Sequence, residues 1–204
     1  MQLKPYQSED AAALLALANS VHGAGYLNAD SLSEMAKLGL ASGLNANFVV
    51  FQDATLVGYR LSFAPGNWQP DHWCSTKLWP VPAEQMAYFK SVAVAPAYQG
   101  QGIGSRMLRA SIEVLKRQGA LAGLAHLWMQ SPGNSAVRYF SRAGGKLLAV
   151  HPDKWLALSR QSAGYDCPVC GEACHCTAAE MVLTFEQYTQ VTSRCRLQRE
   201  IKAL

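Results

Sequence analysis

The most informative part of the sequence is Phe89-Lys-Ser-Val-Ala-Val-Ala-Pro-Ala-Tyr-Gln-Gly-Gln-Gly-Ile-Gly-Ser-Arg-Met-Leu108. A strand predicted over residues 86–94 leads into a turn with glycine at every second position, and a helix predicted over 102–118 follows at once. Glycines let the backbone approach a bulky anion, and the free N–H groups of a first helical turn attract phosphate. The stretch therefore predicts either an anion-binding turn, to which Arg106 can add a charged contact, or a tight turn that serves packing alone.

Two common nucleotide-binding motifs do not fit this turn. The dinucleotide pattern Gly-x-Gly-x-x-Gly fails on spacing, and the Lys-Ser or Lys-Thr pair of a P-loop is missing. The pattern that fits is Gln-x-x-Gly-x-Gly, formed by Gln99, Gly102 and Gly104. Downstream, Asn134 opens a second motif, Asn-Ser-Ala-Val-Arg-Tyr-Phe-Ser-Arg-Ala-Gly-Gly, which predicts a turn and a short helix that ends at glycine.

Together these motifs resemble the acyl-CoA-binding segment and the later Asn-containing turn of the GNAT superfamily of N-acetyltransferases. The resemblance extends through the order of predicted elements over about residues 1 to 160. It implies an α/β fold of mixed α+β type, with a central mixed, mostly antiparallel sheet flanked by helices. It also implies that the motif strand and the strand predicted over 121–129 splay apart to form the acyl-CoA cleft.

The hydrophobic pattern independently predicts one α/β domain, because strands and helices alternate through a mostly continuous core. Residues 1–204 are expected to form a single N-acetyltransferase domain. Ser8 is expected to cap a first helix, which runs to about Asn19, and a second helix is expected from Ser31 to about Leu40. A cysteine-rich loop is expected at about 162–177, and a C-terminal helix at about 186–203.

The composition excludes several classes of protein. Half of the 204 residues are hydrophobic and 16% are charged, against about 25% in an average soluble protein, so a buried core is expected. The longest apolar run, residues 11–18, is shorter than the ~20 residues of a membrane span, and Glu9 and Asp10 stand where a signal peptide carries positive charge. We therefore predict a cytoplasmic location without a membrane partner. The net charge of +4 is scattered, so no nucleic-acid partner is predicted, and a homodimer stays open.

The resemblance implies acetyl-CoA as co-substrate and direct attack of a small-molecule or peptide amine on the thioester, without a covalent enzyme intermediate. Backbone groups of Val92 and Val94 would pair with the pantetheine arm, and Asn134 would bind the arm further along. The N–H groups from Gly100 to Gly104 would take the pyrophosphate. The residues expected at the cofactor are Val92, Val94, Gln99, Gly100, Gln101, Gly102, Ile103, Gly104, Arg106 and Asn134.

An attacking amine must lose a proton, because its pKa is about 9 to 10, and a carboxylate or histidine is the expected base. Glu84 lies just before the motif strand, and Asp71 and His72 lie in a tryptophan-rich loop over residues 64–82. His126 stands inside an apolar strand and is interpreted as a core histidine. The loop either lines an acceptor pocket or is held on the core by its three tryptophans, Trp68, Trp73 and Trp79.

The resemblance also implies a tyrosine as general acid, four residues before the glycine of the short helix, to protonate the departing thiolate. Counting back from Gly144 gives Phe140, which has no proton to donate, and its neighbour is Tyr139. Successive helical residues point about 100° apart, so only one of the two can face the sulfur. The catalytic candidates are therefore Tyr139, Glu84 and His72. The alternative is that Tyr139 and Phe140 both serve only to pack the helix against the core.

Four cysteines, Cys167, Cys170, Cys174 and Cys176, lie within ten residues. In a reducing compartment, clustered thiols are more often metal ligands or free thiols than disulfides. The Cys-x-x-Cys-Gly start is typical of a zinc knuckle, yet the second pair follows after only three residues, where His175 could replace a neighbour. We expect a solvent-accessible loop that either binds zinc through these cysteines or carries free or redox-active thiols.

Two other functions stay open. A catalytically inactive acyl-CoA sensor or interaction protein would bind the cofactor without turnover. A metal-clustered nucleic-acid-binding module would combine the cysteine loop with the basic tail, although the tail lacks interleaved aromatics. The basic residues of that tail are Arg194, Arg196, Arg199 and Lys202.

Overall fold

A computed structural model describes residues 1–161, 165–186, 188 and 189 of the protein. This part of the chain contains both strands and helices, as the sequence predicts. Their bounds are β1 (Gln2–Pro5), α1 (Ala11–His22), α2 (Ala29–Leu38), β2 (Leu40–Ala41), β3 (Leu44–Asn45), β4 (Phe48–Gln52), β5 (Thr55–Phe63), β6 (Met86–Val94), α3 (Ile103–Arg117), β7 (Ala122–Trp128), α4 (Ser135–Arg142), β8 (Lys146–His151), α5 (Leu156–Gln161) and β9 (Ala178–Thr184).

Seven of these strands form one sheet in the order β1-β4-β5-β6-β7-β9-β8, and β2 and β3 form a separate hairpin. Every neighbouring pair in the sheet is antiparallel except β6 and β7, which are parallel. A parallel pair needs a crossover connection, and α3 supplies it. The predicted mixed, mostly antiparallel sheet in a single α/β domain is confirmed.

Helices cover both faces of the central strands. On one face, Leu14 of α1 and Leu32 of α2 pack against Tyr59 of β5. On the other face, Ile103 and Met107 of α3 pack against β4 and β5. Because β5 lies between these layers, every residue after Thr55 is buried, including the polar Arg60 and Ser62.

The strands β6 and β7 pair only at the beginning of their lengths. Their register joins Met86, Ala87 and Tyr88 to residues 122–124, and no pairing continues beyond that point. A β-bulge lies next to this point, because Ser91 faces Leu61 and Phe89 faces Ser62, so that Lys90 has no residue opposite it. The strands therefore separate where the bulge re-aims β6, as the splayed arrangement requires.

Several boundaries differ from the sequence-based expectations. Gln7, not Ser8, caps the N-terminal segment, which begins as a short 3₁₀ turn over Ser8–Asp10 before α1 continues to His22. The helix α5 and the β2–β3 hairpin were not predicted. Most of the expected helix over 186–203, the basic tail and residues 162–164 of the expected cysteine loop lie outside the described residues. Within the described part of the chain, no helix is both long and apolar enough to cross a membrane.

Candidate active site

The separated halves of β6 and β7 border a cleft of about 1790 Å³. Pockets for a single ligand commonly measure about 300 to 1,000 Å³, so this cleft has room for two substrates that meet end to end. One end reaches the glycine turn before α3. The other end is lined by the tryptophan-rich loop and by the turn between α1 and α2, through Trp68, Trp73, Gly25 and Tyr26.

The glycine turn presents bare backbone to the cleft. Gly100 and Gly102 have φ angles of +76° and +78°, a left-handed conformation that favours glycine. A Cβ atom at either position would meet no atom within 4 Å, so the space in front of the turn is open. Since the first N–H groups of α3 have no acceptor within the helix, they can bind an anion there, and the helix dipole favours one.

Most of the residues predicted at the cofactor lie in the cleft. Gln99 donates from Nε2 to the Val94 carbonyl oxygen at 3.1 Å, which ties the turn to the end of β6. Gln101, Arg106 and Asn134 are not among the lining residues, and the first two are exposed. The predicted residues that line the cleft are Val92, Val94, Gln99, Gly100, Gly102, Ile103 and Gly104.

Asn134 does not cap α4 with its side chain. Its backbone is left-handed, at φ 51°, and its buried Oδ1 has no hydrogen-bond partner among the described residues. Ser131 instead accepts a hydrogen bond from the Ala136 N–H through its Oγ at 3.1 Å, and Ser131 also lines the cleft. Ser131 was not among the predicted site residues, although serine before a short helix is a common capping signal.

A tyrosine and a histidine meet where β6 and β7 separate. The Tyr88 hydroxyl oxygen lies 3.0 Å from Nδ1 of His126, and Nε2 of His126 lies 2.9 Å from the Trp73 carbonyl oxygen. Because a carbonyl oxygen only accepts, Nε2 carries the proton, and Nδ1 accepts from the Tyr88 hydroxyl. Burial, assisted by the charge of Lys154, lowers the pKa of His126 to about 4, and burial raises the pKa of Tyr88. Both side chains are therefore neutral at pH 7.

The interpretation of His126 as a core histidine is wrong, because its ring is only half-buried and lines the cleft. Charged groups surround it: Lys154 Nζ lies 3.8 Å from Asp71 Oδ2, and Lys90 points into the cleft from the bulge of β6. Burial lowers the pKa of Lys90, while Asp71 acts in the opposite direction. Cys74 also lines this end, and burial raises the pKa of its thiol to about 12, so the thiol stays protonated.

The structure does not bring Glu84 and His72 into the cleft. Glu84 is exposed in a 3₁₀ turn over Ala83–Gln85, just before β6. His72 is exposed, and its ring packs against Trp73 with a centroid distance of 4.8 Å. Neither residue lines the cleft, so neither is placed where an attacking amine would lose its proton.

The alternative between Tyr139 and Phe140 is resolved by the register of α4. Phe140 is 1% exposed and packs edge-on against Phe89 in the core, whereas Tyr139 lines the cleft. The Tyr139 hydroxyl donates to the Gly104 carbonyl oxygen at 3.0 Å and accepts from Arg60 Nη2 at 2.9 Å. Burial raises the pKa of Tyr139 to about 12, although Arg60 opposes the shift. Tyr139 therefore holds its proton at the N-terminal turn of α3.

The family model of the acetyltransferase (GNAT) family matches residues 22–144, which is more than half of the chain. The chain belongs to the GNAT family of acetyltransferases. The family generally transfers the acetyl group of acetyl-CoA. Among proteins with curated descriptions, none matches this chain by sequence.

Solved GNAT structures share the fold. Naa20 from Chaetomium thermophilum, in complex with a bisubstrate analogue, superimposes with a TM-score of 0.64 at 18% identity, covering 93% of this chain and 90% of that one. The yncA protein from Salmonella typhimurium, with its cofactor acetyl-CoA, has a TM-score of 0.60 at 19% identity, covering 90% and 93%. The ribosomal-protein-S18-alanine N-acetyltransferase from Escherichia coli has a TM-score of 0.61 at 15% identity, covering 90% and 92%.

The cysteine cluster lies beyond the residues that match the GNAT family. The Sγ atom of Cys167 is 3.6 Å from that of Cys174 and 3.8 Å from that of Cys176, and the Sγ atoms of Cys170 and Cys176 are 3.5 Å apart. None of these cysteines forms a disulfide. All four Sγ atoms lie within 4.8 Å of one another, so the thiols converge on one point.

Two sequence-based expectations about this loop are wrong. We expected exposed thiols, but Cys167, Cys174 and Cys176 are at most 4% exposed because Trp128 and Trp155 pack against them. His175 does not replace a cysteine, since its exposed ring turns away and its Nδ1 lies 2.8 Å from Asp153 Oδ1.

Proposed function

We propose that the chain transfers the acetyl group of acetyl-CoA to a primary amine of a small molecule or peptide by direct attack of the amine on the thioester. The observation that carries the proposal is the Tyr88–His126 pair, which lines the same cleft as the open glycine turn before α3. One end of the cleft is thus suited to a phosphate group, and the other offers a neutral proton acceptor. A transferase needs both in one cavity.

The cofactor would lie along β6. The N–H groups between Gly100 and Gly104 would bind the pyrophosphate, since they stand at the positive end of α3. The edge of β6 that faces β7 is unpaired beyond Tyr88, where backbone groups of Val92 and Val94 would pair with the pantetheine arm, although the Val94 carbonyl also accepts from Gln99. This path leads the thioester toward the Tyr88–His126 pair, where a strand N–H can polarise its carbonyl.

The acceptor amine would lose its proton to the Tyr88 hydroxyl, either directly or through a water, while Tyr88 passes its own proton to Nδ1 of His126. The attacking nitrogen becomes much more acidic as the C–N bond forms, so a weakly basic histidine can serve at that stage. The C–S bond of the thioester then breaks, and CoA would leave as its thiolate. The Trp73 carbonyl and the charge of Asp71 would stabilise the resulting imidazolium.

A second part of the proposal concerns cofactors. Acetyl-CoA is the co-substrate of the reaction, and the cysteine cluster is proposed to hold zinc in a structural role.

The test is a screen of acetyl-CoA against polyamines, amino acids, aminoglycosides and peptide N-termini, with release of the CoA thiol and the mass of the acetylated amine as readouts. His126→Gln should lower kcat by at least about tenfold, equivalent to about 1.4 kcal/mol, and leave CoA affinity within twofold. His72→Gln is the matched control, since His72 lies outside the cleft, and it should keep full turnover.

Two results would contradict the proposal. If the protein binds CoA but releases no thiol with any amine, it is an inactive acyl-CoA sensor. If His126→Gln and His72→Gln have equal turnover, the proton leaves by another route.

A further inference from the structure

The distances within the cysteine cluster match those of a metal site. In a tetrahedron of four thiolates with Zn–S bonds of about 2.3 Å, neighbouring sulfur atoms are about 3.8 Å apart. Three Sγ pairs are 3.5, 3.6 and 3.8 Å apart, whereas a disulfide would bring two sulfur atoms to about 2.05 Å. The thiols are therefore arranged around a common centre rather than in bonded pairs.

We propose that Cys167, Cys170, Cys174 and Cys176 bind one zinc ion, and that the metal-bound loop fixes the turn between α1 and α2, which borders the acceptor end of the cleft. The claim about the α1–α2 turn rests on the proposed function, because the cleft has an acceptor end only if the protein transfers acetyl groups to an amine. Binding converts four thiols to thiolates and releases their protons to solvent.

The first half of the loop has the backbone of a metal knuckle. The N–H of Cys167 donates to the Gly171 carbonyl at 3.0 Å, and the N–H of Gly171 donates back to the Cys167 carbonyl at 2.9 Å. Gly171 takes the left-handed φ of +73° that closes this turn. The N–H groups of Val169 and Cys170 donate to the sulfur of Cys167, as second-layer donors do around a ligating thiolate.

The second half of the loop is held from outside the cysteine stretch. The N–H of Cys174 donates to Oγ of Ser159 on α5 at 3.0 Å, and that hydroxyl in turn donates to the Leu156 carbonyl. The indole of Trp128 on β7 donates to the sulfur of Cys176. In other zinc sites the second pair of cysteines usually comes from a distant segment. Here both pairs come from one short loop, and the contacts with α5 and β7 hold the second pair in a position to complete the tetrahedron.

The loop joins the α1–α2 turn through the residue just before its first cysteine. The Asp166 N–H donates to the Ala24 carbonyl at 2.9 Å. Gly23 has a φ of +107°, and a Cβ atom there would collide with the Asp166 carbonyl oxygen, so the two backbones are in direct contact. The turn continues into Gly25 and Tyr26, which line the cleft, and Tyr26 donates to Ser91 Oγ of β6 at 3.0 Å. The metal site thus borders the cleft directly, because Cys167 and Cys174 also line it.

The first experiment measures metal in the full-length protein, purified under reducing conditions without chelator, by elemental mass spectrometry. We expect about one zinc per chain, and less than a tenth of an equivalent in Cys174→Ser. Wild-type protein with less than a tenth of an equivalent of zinc, or with iron in its place, would overturn the metal site.

The second experiment compares hydrogen exchange of the Tyr26 and Asp166 amides in wild type, zinc-stripped wild type and two glycine variants. Gly23→Ala should retain zinc but break the contact with Asp166. Its control is Gly119→Ala, which carries similar strain at φ +94° but meets no atom within 4 Å. We expect at least tenfold faster exchange of both amides after zinc removal and in Gly23→Ala, and no change in Gly119→Ala or at α3.

The outcomes separate the two halves of the inference and the proposed function. Unchanged exchange after zinc removal would overturn the link to the turn, even if zinc is bound. Where the amine screen finds an acceptor, its KM should rise in Gly23→Ala while CoA affinity stays constant. A failed screen would contradict acetyl transfer, whereas metal content and hydrogen exchange would still decide the zinc site and its link to the turn.

Discussion

At the scale of single residues, Arg60 and Tyr139 form an unusual pair. Arg60 is 1% exposed on β5, forms no ion pair among the described residues, and its Nε has no hydrogen-bond partner. A buried charge is costly unless it is compensated, and here the guanidinium lies 5.1 Å from the ring centre of Phe89 and donates to the Tyr139 hydroxyl. Arg60 therefore orients Tyr139, whose own proton holds Gly104 at the start of α3.

Tyr139→Phe distinguishes a general acid from a clamp on α3. As the acid, Tyr139 would support protonation of the thiolate, and its loss should lower kcat by at least about tenfold, or about 1.4 kcal/mol. As a clamp, its loss should weaken CoA binding and leave kcat within twofold, because a thiolate with a pKa near 8.5 leaves at modest cost without an acid. Steady-state kinetics measures kcat and calorimetry measures CoA affinity, so together they separate the two roles.

The control for this variant is Tyr6→Phe, which removes the hydroxyl of another buried tyrosine away from the cleft and should change neither quantity. Because the pKa of Tyr139 is raised to about 12, its ionisation should not affect the wild-type rate below about pH 10. An unaltered kcat and an unaltered CoA affinity in Tyr139→Phe would remove both roles.

At the scale of elements, the turn between β6 and α3 is the part most exposed to a direct test. Gly102→Val should lower CoA affinity by at least about tenfold, because the new side chain would project into the open space in front of the helix N-terminus. Calorimetric titration with CoA measures the effect. Gly43→Val is the matched control, since Gly43 also has a left-handed φ, +72°, and no atom within 4 Å.

Both variants should lose similar stability from backbone strain, while only Gly102→Val should lose affinity. If Gly102→Val binds CoA as the wild type does, the anion site lies elsewhere.

Local patterns were sufficient to predict most elements but not how distant segments meet. The strand, turn and helix around Gly102 were predictable because apolar spacing and glycines act within about twenty residues. The bulge at Lys90 arises from pairing with β5, so no local signal marks it. His126 looked like a core residue because its strand is apolar, and only the separation of β6 from β7 exposes its ring to the cleft. The cysteines converge because Ser159 and Trp128 hold them, and neither belongs to the cysteine stretch.

At the scale of the whole molecule, Glu180 joins three segments that are far apart in sequence. It lies at the centre of β9 and is fully buried. Its Oε1 accepts from the Ser75 N–H at 2.8 Å and from the Trp79 indole at 3.3 Å, while its Oε2 lies 3.0 Å from His151 Nε2 of β8. One carboxylate thus holds the tryptophan-rich loop and the edge strand on the sheet, and with them the acceptor end of the cleft.

The stability of the molecule should therefore depend on pH through Glu180. Burial alone would raise the pKa of this carboxyl, but the hydrogen bonds from Ser75, His151 and Trp79 outweigh it and lower the pKa below the ordinary value. A lowered pKa stabilises the folded state above the unfolded-state pKa of about 4.3, and this contribution is lost as pH falls through the folded-state pKa.

Glu180→Gln should cost about 1.5 to 3 kcal/mol of unfolding free energy at pH 7, because it replaces a charged acceptor by a neutral one. Urea unfolding of both proteins from pH 7 to pH 3 measures this difference, which should shrink below about pH 5, while acid effects shared by both proteins cancel. A difference that stays constant over this range would show that the Glu180 carboxylate does not carry the pH dependence.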